Sequence, residues 1–442
     1  MSYNFRTYEQ DQLYLMPPSV QEWVREDSYA RFLSDVVDEF AANGRLDGFY
    51  AQYRDDGWGA AAYHPVMMVK VLLYGYSTGV VSSRKIAQAL EQDIGFRYLA
   101  ANQTPDHRTI NTFRTAHLLA LKELFTDALE LCKEAGLVKM GRVALDGTKV
   151  QGNCALERNR TREQLEKAVH ELLEAAKTTD EAEDAQHGLE LRGDELPEDL
   201  RSKHGRKQKI EAALKSLDER RDALREAQQE KIDEREKRGG IKRGRQPKDP
   251  KSIDLKKTAT GNLTDADSRA LSARGGWVQG YNAQAMADCE SQVIVAQQIT
   301  QEHNDLHQLT PMLERCEEQA GASPEVLVAD AGYWTNDNSA AGGEKTLLLI
   351  ALPPRQKKVV SPPSPQRQEM EKRLAEEANK EAYAQRKSTI EPVFGQIRTQ
   401  GLRSFGLRGK VKAALEWSLW CTTHNLRKLW RARTRETCLV TC

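Results

Sequence analysis

Two short apolar runs, each ending in an aspartate, restrict this chain more than any other feature. Val143-Ala144-Leu145 delivers Asp146, and Val326-Leu327-Val328-Ala329 delivers Asp330. Runs of this length suit a buried strand and fall short of a core helix. The stretch Gly141 to Val150 predicts a strand that ends at Asp146, with Gly147, Thr148 and Lys149 in a turn. Taken alone, an aspartate in that position caps a turn. A second strand-end carboxylate at Asp330, and Glu391 in a later segment, make a metal-binding set the better reading.

The chain between the two aspartates does not look like sheet. From about Leu156 to Gly239 it is highly charged and helical. Leu165, Val169, Leu172, Leu173 and Ala176 form one apolar stripe, and Ile210, Leu214, Leu217 and Leu224 form another at heptad-like steps. His187-Gly188 and the stretch from Arg192 to Pro197 break the pattern between them. This predicts a coiled-coil-like hairpin inserted into the fold, followed by a basic, glycine-rich loop, KRGGIKRGRQPKDPK. The long separation of Asp146 from Asp330 is then an insertion within one core.

The first 135 or so residues read as helical. Gln21 to Ala41 carries apolar residues at helical spacing. His64-Pro65 opens the apolar run VMMVKVLLYGY, Ser82 or Ser83 starts another helix, and Ala120 to Ala135 forms the last. Thr104-Pro105-Asp106 marks a helix start, and the turns after it offer His107, Arg108, Asn111 and Arg114. A short helix, a connector and a helix with exposed Arg and Asn resemble helix-turn-helix spacing, which suits base edges and phosphates. An ordinary helical bundle with charged outer faces has the same pattern.

After the insertion, GWVQGYNAQAMAD and SQVIVAQQIT predict a hairpin through Asp288-Cys289-Glu290. A helix over Leu306 to Ala320, the Asp330 strand, a strand over Lys345 to Leu352 and a charged helix over Arg367 to Gln385 follow. Pro392 predicts a helix start or kink near Thr389, and Val411 to Trp430 predicts a terminal helix. This is the element order of an α/β fold with an RNase H-like mixed-sheet core, an all-α N-terminal domain and a helical insertion. The expected divisions are 1–137, helical and DNA-binding; 138–155 with 275–435, the core; and 156–274, the insertion. In such a core the first and fourth strands are neighbours, so Asp146 and Asp330 meet at one rim.

Two aspartates on neighbouring strands and a glutamate on a facing helix suit two-metal phosphoryl chemistry. Mg²⁺ prefers carboxylate oxygens and water, and Mn²⁺ substitutes for it. Two ions about 4 Å apart activate the attacking oxygen and stabilise the leaving one. The 65 basic and 65 acidic residues balance, so there is no global pull toward nucleic acid. Basic residues concentrate locally, from Arg238 to Lys257 and from Arg386 to Glu436. Seven scattered cysteines predict neither disulfides nor a zinc site, and Glu302, His303 and His307 read as a polar helix start. With no membrane span or secretory signal, the expected location is the cytoplasm.

With these motifs in hand, the chain resembles bacterial insertion-sequence transposases of the DDE type. The resemblance rests on ALDGTKV with Asp146, GYNAQ (Gly280 to Gln284), VLVADAGYW with Asp330, and RKSTIEPVFGQIR with Glu391. It implies that Asp146, Asp330 and Glu391 are the catalytic, metal-binding triad. It also implies that the substrates are terminal inverted repeats and target DNA, and that a homodimer forms the synaptic complex. Relatives carry a tyrosine, an arginine, the glutamate and a later basic residue. Arg398, seven after Glu391, fits the last. Arg386, three after Tyr383, or Lys387, four before Glu391, fits the arginine. Lys149, beside Asp146, contacts a phosphate or pairs with a carboxylate, and Tyr333 and Trp334 either stack on a base or pack under the rim. A nuclease without strand transfer, and a catalytically silent DNA-binding derivative, remain the alternatives.

Overall fold

The computed structural model describes residues 19–53, 61–171, 198–237, 249–253, 260–273, 275–354 and 362–440. The expected breaks at His187-Gly188 and from Arg192 to Pro197, the stripe residues Leu172, Leu173 and Ala176, and most of the basic loop lie outside them.

Six helices come first. They are α1 (Tyr29–Ala42), α2 (Pro65–Thr78), α3 (Ser83–Gln92), α4 (Ile94–Leu99), α5 (His107–Ala116) and α6 (Leu118–Glu134). The expected helix over Gln21 to Ala41 is instead a 3-10 turn, Val20–Trp23, followed by α1. Ser28 makes the break by capping α1, its hydroxyl accepting from Arg31 N. Pro65 starts α2, where its missing N–H is no loss, and Gly79 in the left-handed region ends it. The helix-turn-helix expectation is altered in detail, because α4 stands between α3 and α5 and the link from α4 to α5 is long.

The main sheet holds β1 (Arg142–Gln151), β4 (Arg269–Ala273), β5 (Gly276–Asp288), β6 (Ile294–Thr300), β7 (Val326–Ala329) and β8 (Leu347–Ile350). The fold is mixed α/β. β5 pairs antiparallel with β1 and β6, and β1, β7 and β8 run parallel, giving the order β6-β5-β1-β7-β8. β4 also joins the sheet along β5, although the sequence assigns those residues to the insertion. β2 (Asn159–Thr161) and β3 (Thr260–Asn262) form a small ribbon at the base of α7 (162–171, as far as it is described) and α8 (Glu198–Lys237). Leu165, Ile210, Ala213 and Leu217 bury one another there, which joins the two expected stripes in a small separate core.

β1 is longer than expected. Gly147, Thr148 and Lys149 do not turn; they continue the strand to Gln151. The reason is β5, which pairs with β1 from Val143↔Asp288 to Gln151↔Gly280 and so satisfies the backbone that a turn would have left open. Gly280 allows the approach, since a Cβ there would lie 2.0 Å from Val150 O.

The remaining helices are α9 (Leu309–Ala320), α10 (Pro365–Ala375), α11 (Glu377–Gln400) and α12 (Lys410–Val440). The single helix expected over Arg367 to Gln385 is split at Glu376, and no helix starts near Thr389, which lies inside α11. It runs through Pro392 because the carbonyl that the proline frees has another donor. Gln292 Nε2 donates to Ser388 O at 2.9 Å. Lys428 Nζ and Gln396 Nε2 in turn donate to Gln292 Oε1, at 2.7 and 3.0 Å.

α12 ties the molecule together. Asn425 donates to Ile294 O and accepts from Ile294 N, both at 2.8 Å, which covers the edge of β6. Trp417 Nε1 donates to Gln284 O on β5 at 3.1 Å. Tyr76 of α2 donates to the buried Glu416 at 3.1 Å. One continuous apolar core therefore runs from Val24 through the sheet to Leu429. No single helix among the described residues is long and apolar enough to cross a membrane.

Replacing Gln292 by alanine removes the donor to Ser388 O. We expect a loss of about 1 kcal/mol of unfolding free energy in urea titration. Adding Pro392→Ala restores an N–H at that position and should recover part of the loss; simple additivity of the two substitutions would contradict the pairing.

Candidate functional site

β1 and β7 run side by side in parallel, and their pairing ends at Leu145↔Ala329. The next residue on each strand is an aspartate. β7 stops there and β1 does not, so the two carboxylates share a rim open on one side. Asp146 Oδ1 accepts from Gly147 N, and Asp330 Oδ1 accepts from Gly332 N, both at 2.8 Å. The Asp330 contact caps the 3-10 turn Ala331–Tyr333.

Asp146 is four-fifths shielded, its side chain 20% exposed. Burial pushes its carboxyl up to about 6, and the nearby charge of Asp330 pushes the same way, with Asp305 adding to it. The Gly147 N–H and the Arg386 guanidinium pull the other way. Arg386 Nη1 donates to Asp146 Oδ2 at 3.2 Å and is itself nearly buried. Tyr383, one turn earlier on α11, lies beside the Arg386 guanidinium. Of the two registers left open by the sequence, Tyr383 with Arg386 is the pair that faces the aspartates, and Lys387 is exposed.

Opposite faces of β1 carry different partners. Asp146 and Thr148 face α11, where Arg398 Nη2 donates to Thr148 Oγ1 at 2.6 Å. Gly147 and Lys149 face a polar cluster around Asp305. Lys149 Nζ lies 3.3 Å from Asp305 Oδ1, so of its two expected roles the carboxylate pair is present. Asn282 Nδ2 and Gln284 Nε2 each donate to Asp305 Oδ1 at 2.7 Å. A Cβ on Gly147 would lie 2.8 Å from Asp305 Oδ1 and 2.3 Å from Gln284 Nε2, so only glycine admits this cluster against the strand.

Asp305 is the residue that the sequence reading missed, because its segment was taken as a polar helix start. A signal was present. Asn282 and Gln284 alternate on one face of an otherwise apolar strand, and buried amides require partners. Those two residues are also the polar members of GYNAQ. Its tyrosine, Tyr281, donates to the buried Asp265 at 2.8 Å.

Two of the expected DNA contacts, Tyr333 and Arg114, are buried. Tyr333 has no exposed surface and its hydroxyl bonds Gln284 Oε1, so it offers no ring face to a base. Its hydroxyl is held protonated by burial and by Asp305, Asp146 and Asp330 around it. Trp334 stays partly exposed. Arg114 is 5% exposed and donates to Val81 O and Asn111 Oδ1, at 3.1 and 3.2 Å, with its Nε buried and without a partner. Its position on the helix turns it into the core, whereas Arg108 and Asn111 remain on the surface.

Glu391 lies on the exposed side of α11. Its neighbour Ile390 is fully buried under α11, and Glu391, turned about 100° further round the helix, is exposed. No hydrogen bond or ion pair joins it to Asp146 or Asp330 among the described residues. Nor do the described residues contain a group of three or more His, Cys, Asp or Glu side chains that could hold a metal ion. The aspartate pair nevertheless suits a hard divalent cation: two oxygen donors share one rim, burial and the neighbouring Asp330 charge raise the Asp146 carboxyl, and the Arg386 guanidinium supplies an opposing charge.

Comparisons with known proteins come to bear at both ends of the chain. Residues 18–116 match the family model of a transposase domain (DUF772), and residues 354–430 match that of a transposase DDE domain. The second match includes Arg386, Glu391 and Arg398; Asp146 and Asp330 lie between the two matches. No curated protein and no solved structure is similar enough to count as a match.

The raised pKa has a consequence for stability. Folded Asp146 holds its proton more tightly than the unfolded chain, so its contribution to stability falls as pH rises from about 4 through about 6. In chelator, Asp146→Asn should stabilise the protein at pH 7 by about 1–3 kcal/mol in urea titration, with the gain gone near pH 4. A loss of stability at pH 7 would contradict the raised pKa of the buried carboxyl.

Proposed function

We propose that this chain, which the two family matches support as an insertion-sequence DDE transposase, cuts the ends of its element and joins them to target DNA. The observation that carries the reading is the pair of strand-end aspartates, Asp146 and Asp330, set side by side on parallel neighbours. The strand order β6-β5-β1-β7-β8, antiparallel through three strands and parallel through the last two, supports an RNase H-like core.

A transposase DDE domain implies a divalent metal, and we assign Mg²⁺ to this one, held by Asp146 and Asp330 with Glu391 as the third carboxylate. Bound there, the metal would supply the activation of an attacking oxygen and the stabilisation of a leaving one. The chain's own residues do the rest. Arg386 offsets the aspartate charge, and Tyr383 and the packing of α11 on β1 hold its guanidinium in place. Lys149, Asn282 and Gln284 fix Asp305 beside the rim, which keeps a further negative charge next to the aspartates. Arg398, exposed, and Trp334, partly exposed, are placed near the rim to meet a phosphate and a base.

In this reading residues 1–137 recognise the terminal inverted repeats, with Arg108 and Asn111 on the exposed face of α5. Residues 138–155 and 275–435 carry the chemistry, and 156–274 is an insertion that contacts DNA or a second protomer in a homodimeric synaptic complex. A nuclease without strand transfer shares the aspartate pair, and a joining assay on a target plasmid separates the two.

Asp146→Ala should lower divalent-metal-dependent cleavage of an end-containing duplex by at least about a thousandfold, the order of losing a principal transition-state stabiliser, and leave duplex binding intact. Glu391→Gln should do the same if the exposed glutamate is the third ligand. Undiminished cleavage by Asp146→Ala removes the aspartate pair from the reaction.

A further inference from the structure

On the other flank of α11 lies a cleft of about 480 Å³, bounded by the end of α2, the second half of α11 and α12 from His424 to Arg431. Beside it, two glycines let helix ends abut. A Cβ on Gly79 would lie 2.3 Å from Gln400 O, and one on Gly401 would lie 3.0 Å from the Cα of Gly79. The cleft is lined by Arg427, Lys428 and Arg431, with His424 behind them, and by no carboxylate.

These cations lie on one side of α12, three and four residues apart, where like charges repel. None is ion-paired with a carboxylate among the described residues. Arg427 donates to Ser77 O at 2.7 Å and stacks over Tyr29, and its Nε is buried with no hydrogen-bond partner. Lys428 is partly buried. Burial, with Arg431 and Arg435 beside it, pulls its ammonium down to about 8. Arg431 and Thr399 are exposed at the mouth. Polar groups from α2 and α11, including Thr78, Gln396 and Thr399, complete the wall. Concentrated, uncompensated positive charge in a concave polar site is what a phosphate backbone needs.

We propose that this cleft binds phosphate groups of a DNA strand, as a second contact surface beside the aspartate rim. Its position gives the choice of ligand. Pro392, Gly395 and Thr399 line it from α11, and Gly395 lies one helical turn beyond Glu391. A strand held in the cleft therefore runs along α11, the helix whose other flank carries Arg386 and Arg398 to the aspartate rim. The identity of the phosphate carrier rests on the transposase reading; the anionic preference of the cleft does not.

The test uses the full-length protein, a fluorescein-labelled DNA duplex of arbitrary sequence, and fluorescence anisotropy across a salt series. The double variant Lys428→Gln/Arg431→Gln should bind about tenfold more weakly near 0.1 M salt, and the slope of log affinity against log salt should fall by about two. Gly395→Glu offers an independent check. A Cβ there meets nothing within 4 Å, glutamate favours a helix over glycine, and its charge at the cleft should weaken duplex binding without lowering the melting temperature. Wild-type affinity and slope in both variants, with normal melting, would overturn the cleft and leave the transposase reading standing. If wild-type protein binds no duplex, the transposase reading and the DNA ligand fail together. If inorganic phosphate raises the melting temperature in a Lys428-dependent way while duplex affinity is unchanged in the variants, the cleft is a small-anion site and the DNA proposal is overturned.

Discussion

The parallel pairing of β1 with β7 is the constraint on which the rest of the molecule depends. It ends at Leu145↔Ala329, so the chain must deliver two carboxylates to one rim. Burial raises the pKa of Asp146 there, and the charge of Asp330 adds to the shift. Fully buried apolar residues on both strands hold the pair there against the repulsion. Arg386 relieves part of it from α11. A rim under such strain, with one face open, is a place where a doubly charged cation gains more than a monovalent side chain can offer.

α11 connects this rim to the rest of the surface. One side of it buries Ile390, Val393 and Ile397 against the core. One flank reaches β1 through Arg386 and Arg398, and the other forms a wall of the cationic cleft. The helix must be continuous through Pro392 for these groups to keep their spacing, and Gln292 makes that possible by accepting the role of donor to Ser388 O. Gln292 also receives Lys428 from α12, so one side chain links the proline, the cleft and the hairpin between β5 and β6.

What could be read from the sequence divides along a physical line. Asp146 and Asp330 were legible because an apolar run followed by a carboxylate is a local pattern. α2 and α6 were legible for a similar reason, having strong helical periodicity and clear ends. The extension of β1 through Lys149 was not legible: Gly147 reads locally as a turn, and only pairing with β5 overrides it. Continuity of α11 was hidden in the same way, because the donor to Ser388 O comes from a residue far away in sequence. Arg114 and Tyr333 look like surface contacts as residue types, and only their helix and loop settings turn them inward. Asp305 was overlooked because its partners, Lys149, Asn282 and Gln284, sit on other strands. Placing Glu391 required the rotation of α11, which the sequence pattern left one residue uncertain.

The central claim is that Asp146 and Asp330 together hold a divalent cation. Titration of the full-length protein with Mn²⁺, followed by the loss of its free electron-paramagnetic-resonance signal, measures this without reference to cleavage. The account predicts saturable Mn²⁺ uptake by the wild-type protein that is lost in both Asp146→Asn and Asp330→Asn. Equal uptake by the wild type and both variants would contradict it.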